Sequence, residues 1–118
     1  MSANKKVVEE YLAAFRESDH ARVLATLTED VQWVIPGAFH KKGKPAFDAE
    51  IENPAFEGKP DIRHQRLTEE GGVVVCEGRV KTKKKGGPEL WLAFCDVFEL
   101  RGGKIAKLTS YLMPLAQP

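Results

Sequence analysis

No stretch of this chain is apolar for long enough to cross a bilayer, and "MSANKKVVEEYL" at its start lacks the apolar core of a signal peptide. The cytoplasm is therefore the expected location, with no membrane contact. Charge of one sign is also missing: 18 basic against 17 acidic residues leave a net charge of +1. A dedicated nucleic-acid or membrane-surface protein normally carries a basic excess. Cysteine is scarce, with Cys76 and Cys95 each inside an apolar run and no C-x-x-C spacing, so reduced structural thiols are expected rather than a disulfide framework. His20, His40 and His64 form no H-x-H or H-E-x-x-H pattern, and no metal site is expected. Gly-rich phosphate loops, nucleophile elbows and Cys–His pairings are absent as well.

What the chain does contain is the raw material of one α+β domain spanning residues 1–118. Val7, Val8, Tyr11, Leu12 and Phe15 repeat at helical spacing, with Ser2 or Asn4 available as N-cap. "ESD" interrupts that pattern, and Asp19 can cap a second helix carrying Val23, Leu24 and Leu27. "VQWVIPG" alternates Val31, Trp33 and Ile35 against Gln32 and Val34, a strand stopped by Pro36-Gly37. Pro45 suits the first position of a short helix, and a loop then leads to a strand near Ile62 to Leu67. The second half reads as a meander. Three Gly-Gly pairs, at 71–72, 86–87 and 102–103, separate runs of strand character and supply the positive φ of tight hairpins. Helices first and antiparallel strands after predict helices on one face of a sheet.

Within "LWLAFCDVFEL", a period of two puts Leu90, Leu92, Phe94, Phe98 and Leu100 on one face, and Asp96 falls on that face too. An apolar wall disfavours the ionised carboxylate, so Asp96 is a candidate proton donor or base near neutral pH. The alternative is a carboxyl that pairs with Arg79, Tyr11 or a buried water and only sets the register. Glu77 and Arg79 allow two readings. Facing inward they would cluster with Asp96 and bind a carbonyl or carboxylate; facing outward they form an i,i+2 pair on a solvated sheet. "KTKKKGG" is the one basic run, read as a charged hairpin tip that discourages edge pairing.

The two N-terminal helices, the strand ending "WVIPG", the short helix and the closing "CDVFELRGGKI" together resemble SnoaL-like proteins of the NTF2-like superfamily, relatives of ketosteroid isomerase and limonene epoxide hydrolase. The resemblance implies a cone-shaped sheet around a pocket, closed by helices, with dimerisation through the sheet. It also implies work without metal or cofactor on a small hydrophobic molecule. By analogy with the isomerase, Asp96 in the "DV" step and Tyr11 on the first helix would form an oxyanion-binding pair. That enzyme's general base falls on Ile35, which moves no protons. The hydrolase's last carboxylate falls on Ser110, and its other two positions on Glu77 and Arg79. If the family geometry holds, Phe15, Trp33, Phe94, Phe98 and Leu108 line the pocket, although the same residues would equally make an ordinary core; His40 then stands at the pocket mouth, the alternative being an exposed loop histidine. Trp91, Ala93, Cys95 and Val97 alternate to the other face, whose apolar character suits a covered surface. The expected function is cofactor-independent acid–base chemistry of the isomerase, cyclase or dehydratase class on a hydrophobic carbonyl or polyketide-like substrate. The competing expectation is a non-catalytic ligand-binding or association module.

Overall fold

In the computed structural model, which describes residues 2–116, the helices come first and pack on one side of a curved six-stranded sheet. Helix α1 (Ala3–Arg16) begins where the Ser2 Oγ accepts the Lys5 amide at 3.0 Å, an N-cap that satisfies one of the helix's orphan donors. It stops after Arg16, and Ser18 just beyond has a φ of 51° that no helix can continue. The Asp19 side chain then caps α2 (His20–Ala25) through the Arg22 amide. Strand β1 (Leu27–Ile35) turns at Pro36-Gly37 into the short β2 (Phe39–Lys42), and α3 (Lys44–Ile51) starts with Pro45 in its first turn.

The meander consists of β3 (Asp61–Glu70), β4 (Val73–Lys83), β5 (Glu89–Arg101) and β6 (Lys104–Pro114). Gly71-Gly72 and Gly102-Gly103 both adopt positive φ, as two-residue hairpin turns require. The third pair differs: Gly86 alone is left-handed, in a wider turn closed by the Gly87 amide on the Lys84 carbonyl. Strand order is β2-β1-β6-β5-β4-β3, antiparallel throughout except that β1 and β6 run parallel. That pairing joins the first strand to the last.

The core lies between the inner face of the sheet and the helices. Val8 and Leu12 of α1, Val23 of α2 and Phe47 of α3 meet Val31, Val74, Phe98 and Leu108, all at most 1% exposed. Aromatic rings tie the layers together. Tyr11 sits edge-on to Phe98 at 5.3 Å and to Phe47 at 6.2 Å, and Trp33 stacks on Phe47 at 4.6 Å. Contacts of this kind add to the burial term, and truncating a fully buried Phe to Ala costs about 3–5 kcal/mol.

At Gly78 on β4 the requirement is space rather than backbone angle. A Cβ there would lie 2.4 Å from the Arg63 carbonyl oxygen and 2.8 Å from both the His64 Cα and the Phe94 ring. Strand β3 crosses this close next to the bulge between His64 and Arg66, and the Phe94 ring rests on the bare backbone.

Candidate active site

Alternation along β5 turns Phe94, Asp96 and Phe98 to the inner face, with Cys76 of β4 and Ser110 of β6 as the cross-strand neighbours of Asp96. Above them α1 presents Tyr11, Leu12 and Phe15 at helical spacing. Between sheet and helix remains a cavity of roughly 100 Å³. Its walls are completed by Trp33 and Ile35 of β1, Ile62 of β3, Val80 of β4 and Leu112 of β6. Leu112 is 41% exposed, so the cavity reaches the surface on that side. A dry cavity of about 150 Å³ accepts benzene. This one therefore encloses a few heavy atoms of a ligand, and anything larger extends through the opening.

The lining is almost entirely apolar, and no Lys, Arg or His takes part in it. Burial raises the Asp96 carboxyl from its ordinary 3.8 to about 7, with the neighbouring Ser110 hydroxyl acting in the opposite sense. Near neutral pH the protonated and ionised forms are both well populated. Ser110 is itself buried, and its Oγ accepts the Trp33 Nε1–H at 3.1 Å. Tyr11 titrates well above the ordinary phenol range, first because it is buried and then because of the Asp96 charge. It thus remains a neutral donor. The buried Cys76 thiol is pushed up to about 12, chiefly by burial, and stays inert. Among the described residues no group of three or more His, Cys, Asp or Glu is placed to hold a metal ion.

Of the residues singled out in the sequence, Tyr11, Phe15, Trp33, Ile35, Phe94, Asp96 and Ser110 meet around this cavity. Five do not. Phe98 and Leu108 face inward but lie fully buried beneath it, as core. His40 stands on β2 beside Gln32, with Nε2 2.7 Å from Oε1, on the outer side of the sheet. Glu77 and Arg79 point to the outer face, because Val74, Cys76 and Val80 take the inner phase of β4. Glu77 pairs there with Arg66 of β3, and no inward Glu–Arg–Asp cluster exists. Leu12, Ile62, Val80 and Leu112 were missed. Leu12 and Val80 belonged to apolar faces already visible in the sequence, whereas nothing local marked Ile62 or Leu112 as wall residues.

Two further histidines are engaged elsewhere. His64, inward on β3, lies 2.7 Å from the Arg16 Nη2 and 3.2 Å from Glu9. His20 is held between Asp48 and Glu52 of the third helix region, which raises its pKa.

Residues 8–108 match the SnoaL-like domain. No curated protein matches the sequence. Among solved structures, an NTF2-like protein of unknown function from Burkholderia pseudomallei superposes with a TM-score of 0.87 at 25% identity, over 93% of this chain and 90% of that one. TerC, co-crystallised with polyporic acid, gives 0.84 at 22% identity over 92% and 90%. An epoxide hydrolase of the LEH-like type from M. tuberculosis gives 0.82 at 21% identity over 93% and 82%. At such identities the last two likenesses speak for the fold alone.

Proposed function

The chain belongs to the SnoaL-like domain family, and from that premise we propose that its cavity is the active site of a small-molecule enzyme using cofactor-independent acid–base chemistry. The observation that carries this reading is a lone carboxyl at about pKa 7 in an aromatic-lined, otherwise apolar space. Such a group costs stability at neutral pH and matches what a general acid or base needs. With Ile35 on the wall, Asp96 and Tyr11 are the titratable groups of the lining. One carboxyl then performs both halves of a proton transfer. The Asp96 carboxylate takes a proton from the carbon next to a carbonyl, and the electron pair moves onto the carbonyl oxygen. The Tyr11 hydroxyl donates to that oxygen, and Asp96 returns the proton at another carbon or at a departing hydroxyl. Isomerase, cyclase and dehydratase outcomes share this first step.

The substrate class follows from the walls. Without a cation in the lining, a carboxylate or phosphate would be placed beside Asp96 uncompensated. A neutral carbonyl or phenol with a flat apolar body, polyketide-like in character, fits better. The outer face presents Val75, Trp91, Ala93, Cys95 and Val97, with Tyr111 and Met113 at 52% and 67% exposure. We assign it to a homodimer contact through the sheet, and the free thiols Cys76 and Cys95 suit a cytoplasmic protein.

A ligand-binding module is the second reading, and Ile35 and Ser110 favour it, because each stands where a relative of this fold carries a catalytic carboxylate. The test is proton exchange from small neutral ketones in D₂O, run alongside thermal unfolding with the same compounds. Exchange and a melting-temperature rise that Asp96→Asn abolishes support the enzyme. A rise without exchange supports the module. Neither effect in wild type refutes both.

A further inference from the structure

We propose that Ser110, held by Trp33, is a positioning residue that decides which oxygen of the Asp96 carboxyl carries the mobile proton. The proposal deepens the reading of Asp96 as the proton-transfer group. The Trp33 indole has no freedom to turn away. It stacks on Phe47 at 4.6 Å and meets Phe15 and Phe39 edge-on at 6.0 and 5.4 Å. Its Nε1–H therefore points permanently at the Ser110 Oγ, 3.1 Å away. A hydroxyl oxygen that accepts from one side directs its own hydrogen elsewhere. Ser110 is 4% exposed, and its cross-strand partner on β5, on the same inner face, is Asp96.

A fixed donor on one carboxylate oxygen stabilises negative charge there. The proton then resides on the other oxygen, and the carboxyl enters each turnover already oriented. Of the other titratable groups around Asp96, Tyr11 of α1 stays a neutral donor, whose hydroxyl the proposed chemistry directs at the substrate oxygen, and the Cys76 thiol of β4, pushed up to about 12 by burial, is a weak one. Cys95, next to Asp96 on β5, faces outward towards Glu77. Glu9 and Arg16 of α1 act on the Cys76 thiol with opposite signs. From β1 and β6 the cavity receives only Trp33, Ile35, Ser110 and Leu112.

The experiment is a carboxyl-carbon NMR titration of Asp96 in the whole protein, for wild type, Ser110→Ala, Ser110→Thr and Trp33→Phe. Removing the hydroxyl should raise the Asp96 midpoint by about one pH unit. Threonine should restore it, and Trp33→Phe should give a smaller rise because Ser110 is then free to rotate. If Ser110→Ala does not fold, Ser110→Cys, close in size but a weak donor, reads the same rise. An unchanged or lowered midpoint in the alanine or cysteine variant overturns the proposal, as does a threonine variant displaced as far as alanine. The midpoint is read without substrate. A protein that never turns over a ketone therefore refutes the enzyme reading alone, and an unmoved midpoint in an active enzyme refutes this inference alone.

Discussion

Asp96→Asn should make the protein more stable, and by an amount that grows with pH. The carboxyl titrates at 3.8 when the chain is unfolded and at about 7 when folded. Below the lower value both states hold the proton and Asp96 is neutral in the balance. Between the two, the unfolded state releases a proton that the native state keeps, so stability falls by about 1.36 kcal/mol per pH unit. Above the folded value the loss levels off. Across about three pH units the total is ~4 kcal/mol, a large share of a small domain's 5–15 kcal/mol. Asparagine does not titrate and feels none of this. The exposed carboxylates Asp30, Glu57, Asp61 and Glu69, lowered by their donors, contribute in the opposite sense. Their stabilisation is present above their unfolded pKa and is lost as pH falls. They are common to both proteins and cancel in the difference. The assay is urea unfolding of wild type and variant from pH 5 to pH 8.5. The gap in unfolding free energy should widen by roughly 2.5–3 kcal/mol over that range. Parallel profiles, with a gap constant to about 0.5 kcal/mol, would refute the claim that Asp96 is held near pKa 7 by burial.

Tyr11→Phe keeps the ring contacts with Phe15, Phe47 and Phe98. It should therefore leave the melting temperature nearly unchanged while weakening ketone binding or exchange about tenfold, the loss of one donor. Gly78→Ala should cost more than about 2 kcal/mol in chemical unfolding, because the clash is with backbone that cannot swing aside. Glu77→Gln should alter neither ligand binding nor, measurably, stability, since its pairing with Arg66 is at the surface. On the homodimer contact proposed above, Val97→Arg on the outer face should shift light scattering from dimer to monomer with the circular dichroism spectrum intact.

Much of the fold was legible because it is written in local signals. Ser2, Asp19 and Pro45 mark helix starts by the hydrogen-bonding and dihedral needs of a first turn, and two of the Gly-Gly pairs demand their hairpins. The phase of β5 was equally local, since Phe94 and Phe98 leave no other face for Asp96. Depth was not. Alternation says which side a residue faces, but not whether it borders a space or lies beneath it, so Phe98 and Leu108 read equally as wall or as core. Glu77 and Arg79 stayed open in the sequence because Val73 and Val75 make their own face of β4 apolar too. The parallel pairing of β1 with β6, the strand β2 and the bulge in β3 depend on partners far along the chain, and no short pattern announces them.

That parallel pairing has a consequence for how the protein comes into being. The Trp33–Ser110 bond joins residues 77 positions apart, and β1 has no neighbour on its inner edge until β6 exists. A chain emerging from the ribosome can form α1 and the β3–β4 hairpin early, but the wall containing Trp33 and Ile35 waits for the last strand. Contacts of such long range are slow to close. The cavity is therefore assembled last, and a chain that stops short of β6 has no reduced version of the site; it has none.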